Sequence, residues 1–160
     1  MSKDDKKSGM ISHGVAAQNR KARFDFKILD TIEAGIVLHG AEVKSLRLGR
    51  AQMTDAWAGE RDGELYLFNL YIPEYQGGVF ARFYVRGARK LLVKRKERNK
   101  LLSAVARDRQ TLVPLDIHFN PRGLAKVTLG LAEGKQKADK RQAAAERDWA
   151  RDKARLLRNR

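Results

Sequence analysis

Cysteine is absent from this chain of 160 residues. Neither a disulfide framework nor a thiolate metal site is therefore open to it, and the cytoplasm is its expected home. No apolar run approaches the roughly 20 residues that span a bilayer. The opening stretch, MSKDDKKSGMISHG, has no apolar segment of the kind a secretory signal needs. Acidic residues are also in short supply: 19 Asp and Glu stand against 34 Lys and Arg, a formal charge of +15. An excess of that size attracts phosphate backbones or anionic membrane surfaces. With no membrane-entering segment, nucleic acid is the leading partner. The hydrophobic share of 42% still supports one folded body with an appendage.

Catalytic signatures are missing as well. The three histidines, His13, His39 and His118, are far apart and in no metal-ligand spacing. His118 falls within a strand pattern, where a histidine is most often structural. Ser45 lacks a glycine elbow, and no phosphate loop or dinucleotide fingerprint is present. The expectation is a protein that is not an enzyme and uses no cofactor or metal.

The pattern of the body is a run of short strands. Residues 1–18 are polar and unpatterned, a mobile lead-in. Phe24, Phe26 and Ile28 alternate with Asp25, Lys27 and Leu29 as in a half-buried strand. Glu33-Ala34-Gly35 suggests a bend or bulge before a second strand at 36–38. Residues 41–48 read as a short helix closed by Gly49, with Lys44 and Arg47 outward. Asp62-Gly63 between apolar alternations marks a hairpin, and 79–85 offers another strand. Leu91, Leu92, Leu101, Leu102 and Val105 give the inward face of a helix of roughly 90–106. Strands at 112–119 and 124–131 flank Asn120-Pro121-Arg122-Gly123, a type I turn. About six strands and two helices predict a small antiparallel barrel.

Three basic groups stand out. Residues 19–23 contain Arg20, Lys21 and Arg23. Residues 86–109 carry ten positive charges, among them Arg89, Lys90 and Lys94, against Glu97 and Asp108 alone. The last stretch, 134–160, has no proline, and Arg147, Arg151, Arg155 and Arg158 form one stripe if it is helical. Its apolar face is too narrow to bury against a core. It is therefore a tail, disordered or weakly helical alone, that folds against a polyanion; a solvated, frayed helix without a partner is the competing reading. Trp149, with no core to join, offers a stacking surface for an unpaired base.

Taken together, several motifs resemble a known family, the small protein B or SsrA-binding proteins of bacterial trans-translation. They are Asn19-Arg20-Lys21-Ala22, EAGIVL at 33–38, GAEVKSLR at 40–47, Gly49-Arg50-Ala51, ARKLL at 88–92 and TLVPL at 111–115. Gly134-Lys135, Asp139-Lys140-Arg141, Glu146-Arg147-Asp148 and Asp152-Lys153-Ala154-Arg155 complete the series. Lys94 and Phe24 depart from it, standing where members commonly carry histidine or asparagine, and histidine. The resemblance implies an oligonucleotide-binding-type barrel over 19–133 and a ribosome-engaging tail over 134–160. It implies an adaptor that grips the tRNA-like domain of transfer-messenger RNA. That adaptor enters stalled ribosomes, reaching the decoding site with elongation factor Tu held indirectly through the RNA. The tail becomes helical in the empty mRNA channel.

Matching positions in the family put Asn19, Glu33, Arg89 and Leu92 on the RNA surface; the basic groups add Arg20, Lys21, Lys90 and Lys94, and the outward side of the 41–48 helix adds Lys44 and Arg47. The tail set is Lys135, Asp139, Lys140, Arg141, Arg147, Trp149, Arg151, Lys153 and Arg155. A monomer without membrane attachment is expected. The rival readings are a constitutive ribosomal RNA-scaffold protein on the same barrel and, more remotely, an RNA nuclease.

Overall fold

The computed structural model describes residues 10–75, 85–134 and 137–158, the stretch 137–144 by its backbone. Among these residues there are seven strands and four helices. In chain order they are β1 (Gly14–Gln18), α1 (Ala22–Asp25), β2 (Phe26–Ile36), α2 (Gly40–Arg47), β3 (Trp57–Arg61), β4 (Glu64–Phe68), β5 (Arg89–Leu92), α3 (Arg95–Arg107), β6 (Thr111–Phe119), β7 (Ala125–Gly134) and α4 (Lys137–Arg158). The sheet runs β1-β6-β3-β4-β5-β2-β7, and a further β6–β7 pairing closes it into a barrel. One edge of β6 serves two partners: Ala58 of β3 meets Leu112, and β1 takes the stretch from Asp116 to Phe119.

The turns predicted from local chemistry are present. Asp62 and Gly63 both have positive φ, 53° and 79°, the backbone a tight hairpin turn requires. Asn120 closes the β6–β7 turn by accepting the Gly123 amide on its carbonyl at 2.8 Å. Its side-chain oxygen accepts the Arg122 and Leu124 amides at 3.0 and 2.9 Å. Long-range pairing changes four other expectations. Residues 14–18 are a strand and not part of a lead-in, because β6 supplies an edge for them. Phe24 lies in α1, so the strand begins at Phe26.

Gly35 does not bend β2, which runs unbroken to Ile36. A Cβ at Gly35 would lie 3.2 Å from Leu92 Cβ, so the missing side chain lets β5 cross close. Residues 89–92 pair as strand instead of opening a helix: Arg89 and Leu91 point inward, Lys90 and Leu92 outward. Helix α3 starts at Arg95. The expected strand at 79–85 falls, but for Val85, outside the described residues.

The interior is filled by Leu46, Met53, Leu65, Leu67, Leu70, Ile72, Leu91, Ile117, Val127 and Leu129, each essentially inaccessible. Burial of such side chains contributes about 1.5–3 kcal/mol apiece before the entropy of ordering is subtracted. A smaller cluster of Ala22, Val113, Leu115 and Ala132, with Phe26 and Ile28, lies outside the barrel beneath α1. Bulges beside Leu29 and Leu115 permit it by shifting the register of β2 and β6 against β7. Beyond them the outer face turns polar.

Candidate nucleic-acid interface

Strand register builds one continuous outer face. Thr128 of β7 lies opposite both Glu33 of β2 and Asp116 of β6. Lys126 lies opposite both Gly35 and His118, and Gly35 in turn opposes Leu92 of β5. Paired residues share a face and alternate residues repeat it. Glu33, Leu92, Lys90, Lys126, His118 and Asp116 therefore share the outside of the barrel. Asn19 sits at one end, where its amide N–H binds Leu115 O at 2.8 Å and its side chain donates to Pro114 O at 3.0 Å. Arg20 and Lys21 follow it, both exposed.

Polar chemistry on this face centres on His118. His118 Nε2 lies 3.2 Å from Glu33 Oε2 and Nδ1 lies 2.8 Å from Asp116 Oδ1. Thr128 donates its hydroxyl to the same Asp116 oxygen at 2.9 Å. Leu92, 52% exposed, supplies the apolar contact beside them. A carboxylate, an imidazole, two lysines and an exposed leucine can accept from base amino or ribose hydroxyl groups, neutralise phosphate, and cover a base or sugar. Glu33, His118 and Asp116 spend these polar atoms on one another. Among the described residues no group is placed to hold a metal ion, and no helix is long and apolar enough to cross a membrane.

Two residues expected on the RNA surface lie elsewhere. Arg89 is 4% exposed and ion-paired with Glu42, equally buried. Its guanidinium also donates to Leu70 O at 2.7 Å, Gly87 O at 3.2 Å and Val85 O at 3.3 Å. Glu42 meanwhile accepts the His39 amide at 3.1 Å, half of the capping box that starts α2. Arg89 thus clamps β5, α2 and the preceding loop from within. Arg47 donates to Ile11 O at 2.8 Å and Gly123 O at 3.0 Å, and covers the Phe119 ring at 4.2 Å. It ties the N-terminal segment to the β6–β7 turn. Lys44 is exposed beside Tyr75, 5.5 Å from the ring centre, and Lys94 is exposed ahead of α3.

The tail forms a helix, and its side chains from Ala145 to Arg158 are exposed. Trp149 is 66% exposed, with Lys153 over its ring. Arg147 covers the Phe24 ring at 4.6 Å, above a cleft of about 420 Å3 that Arg20, Arg23, Glu146 and Ala150 complete. Arg151 and Arg155 follow on the helix; Asp139, Lys140 and Arg141 lie in its backbone-described part, and Lys135 is outside the described residues. Sequence reasoning read His118 as structural and passed over Asp116, Thr128 and Lys126. Their alternation along β6 and β7 was visible, but their meeting with Glu33 depends on register.

A closed antiparallel barrel accompanied by short helices belongs to the small-barrel class that includes oligonucleotide-binding folds. The SmpB protein family profile matches residues 16–159. The SsrA-binding protein of Acidiphilium cryptum is 70% identical over 157 residues, 98% of this chain and 99% of that protein. That of Gluconacetobacter diazotrophicus is 71% identical over 150 residues, 94% of this chain and 97% of that one. A chain in the solved structure "tmRNA-SmpB: a journey to the center of the bacterial ribosome" is 51% identical, with a TM-score of 0.63 over 79% of this chain and 92% of that one. The chain belongs to the SmpB family.

Proposed function

We propose that this protein is an RNA-binding adaptor of ribosome rescue. It captures the tRNA-like domain of transfer-messenger RNA and carries it to ribosomes stalled without a stop codon, performing no chemistry itself. The carrying observation is kinship along the full length: SsrA-binding proteins about 70% identical cover nearly the entire chain, barrel and tail alike. The formal charge of +15 and the mixed-polarity outer face support it.

On this reading Asn19, Arg20, Lys21, Glu33, Lys90, Leu92 and Lys94 meet the RNA. Glu33 accepts base or ribose donors, the cations meet phosphate, and Leu92 packs on a sugar or base. Arg89 and Arg47 act by holding the strands and turns that present this face. Residues 134–160 act on the ribosome, as a helix in the vacant mRNA channel, with Arg147, Arg151, Arg155 and Trp149 facing ribosomal RNA. Elongation factor Tu joins through the RNA, and the adaptor is a cytoplasmic monomer.

Pull-down of the tagged protein from bacterial lysate, followed by sequencing of bound RNA, tests the reading. One dominant tRNA-like species is expected. A spread of ribosomal RNA fragments would instead mark a constitutive ribosome component.

A further inference from the structure

We propose that His118 is a positioning residue for RNA capture: its protonated ring holds the Glu33 carboxylate in place, so that capture weakens as the ring loses its proton. The role rests on the proposed function, in which Glu33 is an RNA contact.

The geometry carries the argument. Each ring nitrogen of His118 faces a carboxylate oxygen, 2.8 Å from Asp116 and 3.2 Å from Glu33. Ionised carboxylates only accept, so both nitrogens must donate, which is the imidazolium form. Asp116 is itself fixed by Thr128, so the chain Thr128–Asp116–His118–Glu33 links three strands and ends at an exposed side chain. Glu33, 56% exposed, would otherwise sample several rotamers. Held by Oε2, it keeps Oε1 to accept an amino or hydroxyl hydrogen from a nucleotide.

The two carboxylates around the ring favour its charge. Glu33 faces it from β2 and Asp116 from its own strand; Lys126 opposes it from β7 and the apolar Val15 from β1. Burial works to lower the imidazole pKa, but hydrogen bonds and charge from Asp116 and Glu33 outweigh it and hold the pKa above 6.5. When the proton leaves, one nitrogen turns a lone pair toward a carboxylate. The longer bond, to Glu33, is the one released.

Gel-shift titration with the tRNA-like domain of transfer-messenger RNA, across pH 6 to 8.5, is the test. Wild-type capture is expected to weaken up to about fivefold as pH rises, the ceiling for a solvent-exposed ion pair. His118→Ala binds up to about fivefold more weakly at low pH and responds little to pH. His118→Gln, which keeps a donor toward Glu33, retains most of the affinity and also loses the pH response. If His118→Ala and wild type bind alike across the range while Glu33→Arg fails to bind, the positioning role is overturned and the Glu33 contact stands. Unchanged capture by Glu33→Arg overturns the contact and the role together. Should His118→Ala fail to fold, a His118→Gln profile that still falls with pH as wild type does overturns the role.

Discussion

Arg89 with Glu42 and His118 with Glu33 are two acid–base pairs on one barrel, and they differ in nearly everything but charge. The first is 4% exposed on both sides, and every guanidinium nitrogen finds a partner inside the protein. The second lies on the outer face, with Glu33 more than half exposed. Removing one partner of a buried pair strands a charge away from water, at about 3–5 kcal/mol. An exposed pair contributes about 0–1 kcal/mol, so the fold can do without it. What the exposed pair provides is an oriented acceptor facing outward. Arg89 and Lys90 show how finely the division runs: neighbours on β5, they point to opposite sides of the sheet.

Breaking the buried pair has the largest expected effect. Arg89→Ala should lower the thermal midpoint by roughly 10 °C, since about 3–5 kcal/mol is lost from a chain of this size. A midpoint within about 2 °C of wild type, a loss under about 1 kcal/mol, would show that the clamp is dispensable. Breaking the exposed pair should leave stability alone and remove function: Glu33→Arg is expected to weaken RNA capture about a hundredfold, with the midpoint nearly unchanged.

Removing residues 135–160 should separate the two regions. Capture persists, while rescue of stalled ribosomes in a reconstituted translation assay is lost. If truncation weakens capture as much as rescue, the division of labour between barrel and tail is wrong. Gly35→Ala sits between the pairs in size, because a methyl pressed on Leu92 Cβ costs about 1–3 kcal/mol by denaturant titration.

The smallest effect is the pH dependence of stability itself. His118 binds its proton more tightly folded than unfolded. Its contribution is therefore full below about pH 6.5, the unfolded value, and is lost as pH rises through the higher folded value. At about 0–1 kcal/mol for an exposed pair, unfolding curves at pH 6 and pH 8 should show a small decrease, absent in His118→Ala.

What was legible in the sequence was local. Asp62-Gly63 and Asn120-Gly123 encode their turns through backbone preference and side-chain caps that need no distant partner. Whether Gly35 bends a strand or admits a close neighbour depends on Leu92, far along the chain. Leu91-Leu92 suits a helix face or a strand equally until β2 and β4 supply edges for it. Arg89 reads as surface charge because charged side chains usually are; Glu42, 47 positions away, makes its burial tolerable. The Glu33–His118 contact, 85 positions apart, exists only through register. Motifs such as GAEVKSLR and TLVPL carried the functional reading where physical pattern alone reached no further than a basic, barrel-forming chain.

The division between a buried structural pair and an outward-facing RNA contact is tested by a paired measurement: RNA affinity and thermal midpoint for Glu33→Arg beside Arg89→Ala. Glu33→Arg is expected to keep the wild-type midpoint and lose the RNA, while Arg89→Ala loses the midpoint first. Wild-type RNA affinity in a folded Glu33→Arg protein would contradict it.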